Sequence, residues 1–154
     1  MHQVFVYGTL KYGFANHYEM FNGERYLGRY ETIDKYPLVI TGPWNSPVMF
    51  PEPGVGKCVF GEVYEVHEDK LKQLDEFEYI NFPKGFRRLK LEVKSNTCEV
   101  MIVDAYMRLR KFIKEIRSEY LSDYQDKNYI HKSLRRNIKW PLLAECGHKM
   151  RNEN

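Results

Sequence analysis

Phe86-Arg87-Arg88-Leu89-Lys90-Leu91-Glu92-Val93-Lys94 decides the architecture. Leu89, Leu91 and Val93 fall on one side of an extended chain, and Arg88, Lys90 and Glu92 on the other. Such alternation marks a strand with one buried face. Just downstream, Glu99–Tyr106 reads as a more buried strand. Upstream, Val59–Val66 is another, with Gly61 marking a bulge or a close backbone approach. Further back lie Gln3–Tyr7, Tyr26–Thr32, Leu38–Ile40 and Val48–Phe50, separated by loops at Pro43–Pro47 and Pro51–Gly54. With about five to seven strands and few helices among them, the expected core is a closed or strongly curved mixed sheet.

Two helices are predicted. The first is Glu68–Phe77, whose opening acids Glu68 and Asp69 suit the helix dipole. The second is Lys111–Tyr124, where Phe112, Ile113, Ile116, Tyr120, Leu121 and Tyr124 recur at helical spacing. The whole is an α+β fold, with residues 1–140 as one domain and 141–154 as a polar tail.

The chain has 154 residues, enough for one domain with its own core, and 43% of them are apolar. No run of eighteen apolar residues could cross a membrane as a helix. Cys58, Cys98 and Cys146 are odd in number and widely spaced, which suggests neither a disulfide framework nor a metal site. They point to a reducing, cytoplasmic setting, and Cys58 and Cys98 fall within strand patterns as small core residues. Five scattered histidines give zinc chemistry no support.

Net charge is +3 and uneven: residues 1–107 hold 12 basic and 15 acidic side chains, residues 108–154 hold 12 and 6. The basic last third, including Arg135, Arg136 and Lys139, reads as a solvated face; the rival reading is a nucleic-acid or protein contact. Interleaved Glu115, Glu119, Asp123 and Asp126 weaken any phosphate-tracking stripe, and no RNA-binding aromatic motif is present.

One carboxylate stands out. At about 100° per residue, Leu71, Leu74 and Phe77 share an arc of the first helix, and Glu78 falls within about 20° of Leu71. A carboxyl on the core side is costly unless paired or opening onto a cleft, and burial raises its pKa toward that of a useful acid/base. The alternative is a helix that ends near Phe77, with Glu78 swung outward. A second candidate is Val6-Tyr7-Gly8-Thr9-Leu10, a strand running into a turn whose successive amide N–H groups could cradle an anion. It lacks the Gly-Lys-Ser/Thr of a phosphate loop. Tyr106, at a strand end, is a further pocket-lining candidate.

These stretches, with Gly13, Asn16-His17, Tyr36-Pro37-Leu38-Val39-Ile40, Gly42, Gly61-Glu62-Val63-Tyr64 and Leu74-Asp75-Glu76-Phe77-Glu78, resemble the γ-glutamylcyclotransferase-like superfamily. Within it the likeness is to the γ-glutamylamine cyclotransferases. It covers roughly residues 1–95 and matches poorly after Tyr106. It implies a small β-barrel-like mixed sheet flanked by helices, with Tyr7, Gly8, Thr9 and Leu10 lining the substrate pocket and Glu78 as the catalytic glutamate. It also implies cyclisation of a γ-glutamyl amide to 5-oxoproline with no cofactor or metal, and the chain is expected to act as a monomer on this small molecule. γ-Glutamyl amino acid cyclotransferase and a non-enzymatic binding module are the alternatives.

Overall fold

In β1 (His2–Val6), successive side chains serve two different cores, and that division organises the molecule. The computed structural model describes residues 1–135. Val4 and Val6 face a cluster with Leu10, Tyr64, Val66, Leu71, Leu74 and Tyr106, while Phe5 and Tyr7 face a second with Val63, Leu91, Val93, Val103 and Ala105. A strand covered on both faces must be central, and period-two geometry sends alternate residues to opposite layers.

The remaining strands are β2 (Arg25–Thr32), β3 (Leu38–Thr41), β4 (Ser46–Met49), β5 (Phe60–Val66), β6 (Arg87–Lys94) and β7 (Val100–Met107). Four of them close a barrel with β1, in the order β1-β5-β2-β6-β7. The seam is the parallel pairing of β1 with β7, Val4 opposite Asp104 and Phe5 opposite Ala105; the other ladders are antiparallel. Closure removes the exposed edges that an open sheet would carry. Strands β3 and β4 form a separate hairpin. The expected barrel-like mixed sheet is therefore the observed core.

Gly61 is a close-approach glycine: a Cβ there would strike the Val6 carbonyl oxygen and come within 2.7 Å of the Phe5 ring. The short helix α1 (His17–Met20) packs beside the first turn, and α2 (Glu68–Phe77) lays Leu71 and Leu74 on the outer face of the barrel. Lys72 and Glu76 face solvent, as the helical arc requires.

The helix expected over Lys111–Tyr124 does not form. Only Arg110–Phe112 makes a short 3₁₀ turn, and the chain then runs as an irregular strap along the free edge of β3. Glu115 O accepts the Gly42 N–H (3.0 Å), Ile40 O accepts the Arg117 N–H (2.7 Å) and Leu38 O accepts the Leu121 N–H (2.8 Å). β3 has a partner strand on one side only, so its other edge carries backbone groups that need partners, and the strap supplies them. Ile116 and Tyr120 stay 44% and 36% exposed, where a single buried helical face would have hidden both.

The expectation that Cys58 and Cys98 are small core residues also fails. Cys58 is only partly buried, and Cys98 is exposed in the β6–β7 turn at a left-handed φ of 64°. Arg135, expected on a solvated face, is buried. Arg136, Lys139 and the polar tail 141–154 lie outside the described residues.

Candidate active site

Glu78 owes its orientation to the way α2 stops. Its N–H still donates to Leu74 O (2.9 Å), so it continues the helical phase of Leu71 and Leu74. The next two N–H groups fold back, Tyr79 to Glu76 O (3.1 Å) and Ile80 to Asp75 O (3.2 Å). This is a Schellman cap, which needs a left-handed residue just after the cap. Tyr79 fills that place with φ 57°, a conformation in which glycine is usual. Gly85 closes against it, since a Cβ there would strike the Tyr79 carbonyl, and Phe86 N–H reaches Glu78 O (3.0 Å). The helix does end at Phe77, yet Glu78 is kept from swinging outward.

Its carboxyl lies on a cavity of about 290 Å³ between the barrel's end, the β3–β4 hairpin and the strap. Burial pushes its pKa up to about 7, against the partly opposing charge of Lys132. At neutral pH this group both accepts and releases a proton readily.

Opposite stands the turn after β1. Its carbonyls are engaged: Gly8 O by the Lys11 N–H (3.0 Å), Thr9 O by the Asn16 N–H (2.9 Å) and Leu10 O by the His17 ring Nδ1 (2.9 Å). Asn16 Nδ2 also donates to Thr9 Oγ1 (2.9 Å) and to the Tyr129 hydroxyl of the strap (3.2 Å). Among the described residues the N–H groups of Gly8, Thr9 and Leu10 meet no acceptor, which leaves them to a ligand. The turn approaches β4 so closely that a Cβ on Gly8 would sit 2.5 Å from Pro47 Cγ.

Tyr7 and Tyr106 line the same cavity. The Tyr7 hydroxyl donates to Tyr106 O (2.6 Å) and accepts from the Met49 N–H (3.3 Å), joining β1, β7 and β4. The Tyr106 hydroxyl donates to Asp75 Oδ1 (2.6 Å), an oxygen that also faces Arg88 Nε at 3.4 Å. Burial first, then neighbouring carboxylates, hold both phenols well above their ordinary range. Both stay protonated at neutral pH and act as struts.

All six candidates from the sequence thus meet at one cavity. The sequence reading missed what the strap and hairpin contribute: Trp44, Arg108, Tyr129, Lys132 and Arg135. The available signal was the basic last third, but charge count cannot distinguish a solvated lysine from one folded over a pocket.

The site thus sets the Glu78 carboxyl across one cavity from backbone N–H groups that meet no acceptor among the described residues. The sequence model of the family described as gamma-glutamyl cyclotransferase, AIG2-like, matches residues 4–129. The chain belongs to that family. It is 48% identical over 94 residues to a gamma-glutamylaminecyclotransferase of Bos taurus, covering 58% of this chain and 55% of the relative. The corresponding figures for a Rattus norvegicus protein of the same name are 44% over 98 residues, 61% and 64%. The matched stretch thus spans between half and two thirds of those relatives. Among solved structures, an AIG2-like protein of Mus musculus superposes with a TM-score of 0.69 at 32% identity, covering 81% of this chain and 88% of that one.

Proposed function

We propose that this protein is a γ-glutamylamine cyclotransferase, which closes the γ-glutamyl group of an amide into 5-oxoproline and frees the amine. The observation that carries the reading is the Glu78 carboxyl, held near pKa 7 on the same cavity as the Gly8–Leu10 donors. The names of the cattle and rat relatives support the same reaction.

The chemistry needs no nucleophile from the protein. The substrate's α-nitrogen attacks its own δ-carbonyl, forming a five-membered lactam as the bond to the departing nitrogen breaks. Two protons must pass from the α-ammonium to the leaving amine. Glu78 accepts one to free the attacking lone pair, returns it to the departing nitrogen, and can repeat the transfer. Backbone N–H groups of Gly8, Thr9 and Leu10 hold the α-carboxylate or the developing oxyanion. A snug cavity that curls the chain supplies much of the rate, since intramolecular reactions reach effective molarities of roughly 10⁵ M or more.

Arg108, Lys114, Lys132 and Arg135 also line the cavity, with Glu115 as the other carboxylate. Such a lining suits a leaving amine that carries its own carboxylate, as the lysine of γ-glutamyl-ε-lysine does. We read the protein as a cytoplasmic monomer acting on a small molecule, a setting that suits the free thiols of Cys58 and Cys98. The test is 5-oxoproline release from γ-glutamyl-ε-lysine, γ-glutamyl-alanine and glutathione. Glu78→Gln is expected to lower it by roughly 10²–10⁴-fold with the fold intact. Normal turnover by a folded Glu78→Gln protein would sink the mechanism, and preference for γ-glutamyl-alanine would move the reading to the amino-acid-type enzyme.

A further inference from the structure

Lys132 opens the last described element, a 3₁₀ turn over Lys132–Arg135, beyond the residues that the family model matches. Its ammonium donates to Phe77 O (3.1 Å), the carbonyl immediately before Glu78. It also lies over two rings, 3.8 Å from the centre of Phe77 and 4.7 Å from that of Tyr79. Phe77 and Tyr79 are the residues on either side of Glu78, so one cation grips both flanks of the carboxyl-bearing residue. We infer that Lys132 is a positioning residue for Glu78, holding the chain on both sides of it and bringing a positive charge to the residue that carries the carboxyl.

The other charged and titratable neighbours do not supply this. Just after β1, Tyr7 presents a protonated hydroxyl, and so does Tyr106 from β7. On α2 itself, Asp75 adds negative charge but is engaged by Tyr106 and faces Arg88 of β6. Arg108, at the end of β7, turns its Nε to Lys84 O (2.6 Å). Arg135, one turn on from Lys132, stacks on Trp44 at 4.6 Å and donates to Ile130 O. In the strap, Glu115 is tied to Arg117, and Lys114 and Tyr129 line the cavity. Of these cations, Lys132 is the one whose charge opposes the effect of burial at Glu78. A positive charge favours the carboxylate, so removing it must raise the pH at which Glu78 ionises.

The inference rests on the proposed reaction, so its test has two readouts. One is the acid limb of the kcat/KM profile for 5-oxoproline release. The other is the titration of the Glu78 carboxyl by ¹³C NMR, with its signal assigned by loss in Glu78→Gln. Lys132→Met keeps the stem over the rings, and Lys132→Gln keeps a donor for Phe77 O; both lose the charge, so either serves if the other folds poorly. Both are expected to move limb and midpoint upward by about half a pH unit or more. Lys132→Arg is expected to leave both in place. A midpoint unchanged in the neutral variants, or moved equally by Lys132→Arg, overturns the inference. A midpoint that moves in a protein releasing no 5-oxoproline keeps the Lys132–Glu78 coupling and overturns the reaction.

Discussion

The barrel and the strap meet at one cavity but are built on different physics. In residues 1–107 each strand pairs along a ladder, and the sequence period matches the layer that the side chains enter. The strap, from Arg108 onward, pairs with β3 only at intervals. It advances five positions from Ile116 to Leu121 where β3 advances three from Leu38 to Thr41. Such a slip forbids a regular ladder, and the strap compensates with side chains. Ser118 Oγ accepts the Ile40 N–H (2.9 Å), and Arg110 holds Glu52 with both Nε and Nη2 (2.9 and 2.8 Å). Apolar periodicity therefore predicts structure where a segment must organise its own backbone. It misleads where an existing sheet edge offers the hydrogen bonds.

The sharpest probe of this contrast is a matched pair of truncations. Leu74 is fully buried between α2 and the barrel, and Leu74→Ala should cost about 2–5 kcal/mol. Leu121, packed only partly against the barrel core, should cost about 1 kcal/mol as Leu121→Ala. Urea denaturation measures both. Equal losses would mean that the strap is as much a part of the folding core as α2, and the distinction would fail.

Glu78, where the regions meet, makes the next largest effect and a pH-dependent one. Its folded pKa of about 7 lies above the ordinary 4.5. As pH rises from about 4.5 to 7, an unfolded chain loses this proton while the folded one keeps it, so the group lowers stability across that window. At 1.36 kcal/mol per unit, the cost reaches about 3 kcal/mol at pH 8. Glu78→Gln should therefore be more stable than the native protein by about that amount at pH 8, with the gain vanishing near pH 4. A gain independent of pH would mean that the carboxyl is solvated and that the strap does not enclose it.

The same division governs what could be read in the sequence. Every strand of the barrel was legible, β6 from the alternation its two faces impose and β7 from its more continuous apolar run. Glu78 was legible because seven residues bring a helix nearly back into register, although the device that holds it was not. Tyr79 occupies a left-handed position usually given to glycine, so no turn signal marks the cap. Lys132 and Arg135 were legible only as charge. Their placement depends on the strap crossing β3, a contact between residues some 80 positions apart in the chain.

The smallest effect tests the place where the strap stops being a cover. Tyr124 belongs to the strap yet is fully buried in the barrel core, its ring 5.5 Å from that of Phe14. Its backbone carbonyl accepts the Lys11 ammonium (2.7 Å), which ties the strap to the turn after β1. Its hydroxyl has no hydrogen-bond partner among the described residues, and burial pushes its ionisation well above the ordinary range. A buried, unsatisfied hydroxyl contributes nothing to stability beyond the ring that carries it. Tyr124→Phe should thus be neutral or stabilising by up to about 1 kcal/mol, with 5-oxoproline release unchanged. A loss above about 1 kcal/mol would show that the hydroxyl is hydrogen-bonded in solution. The strap would then be anchored in the barrel by a polar contact as well as by packing.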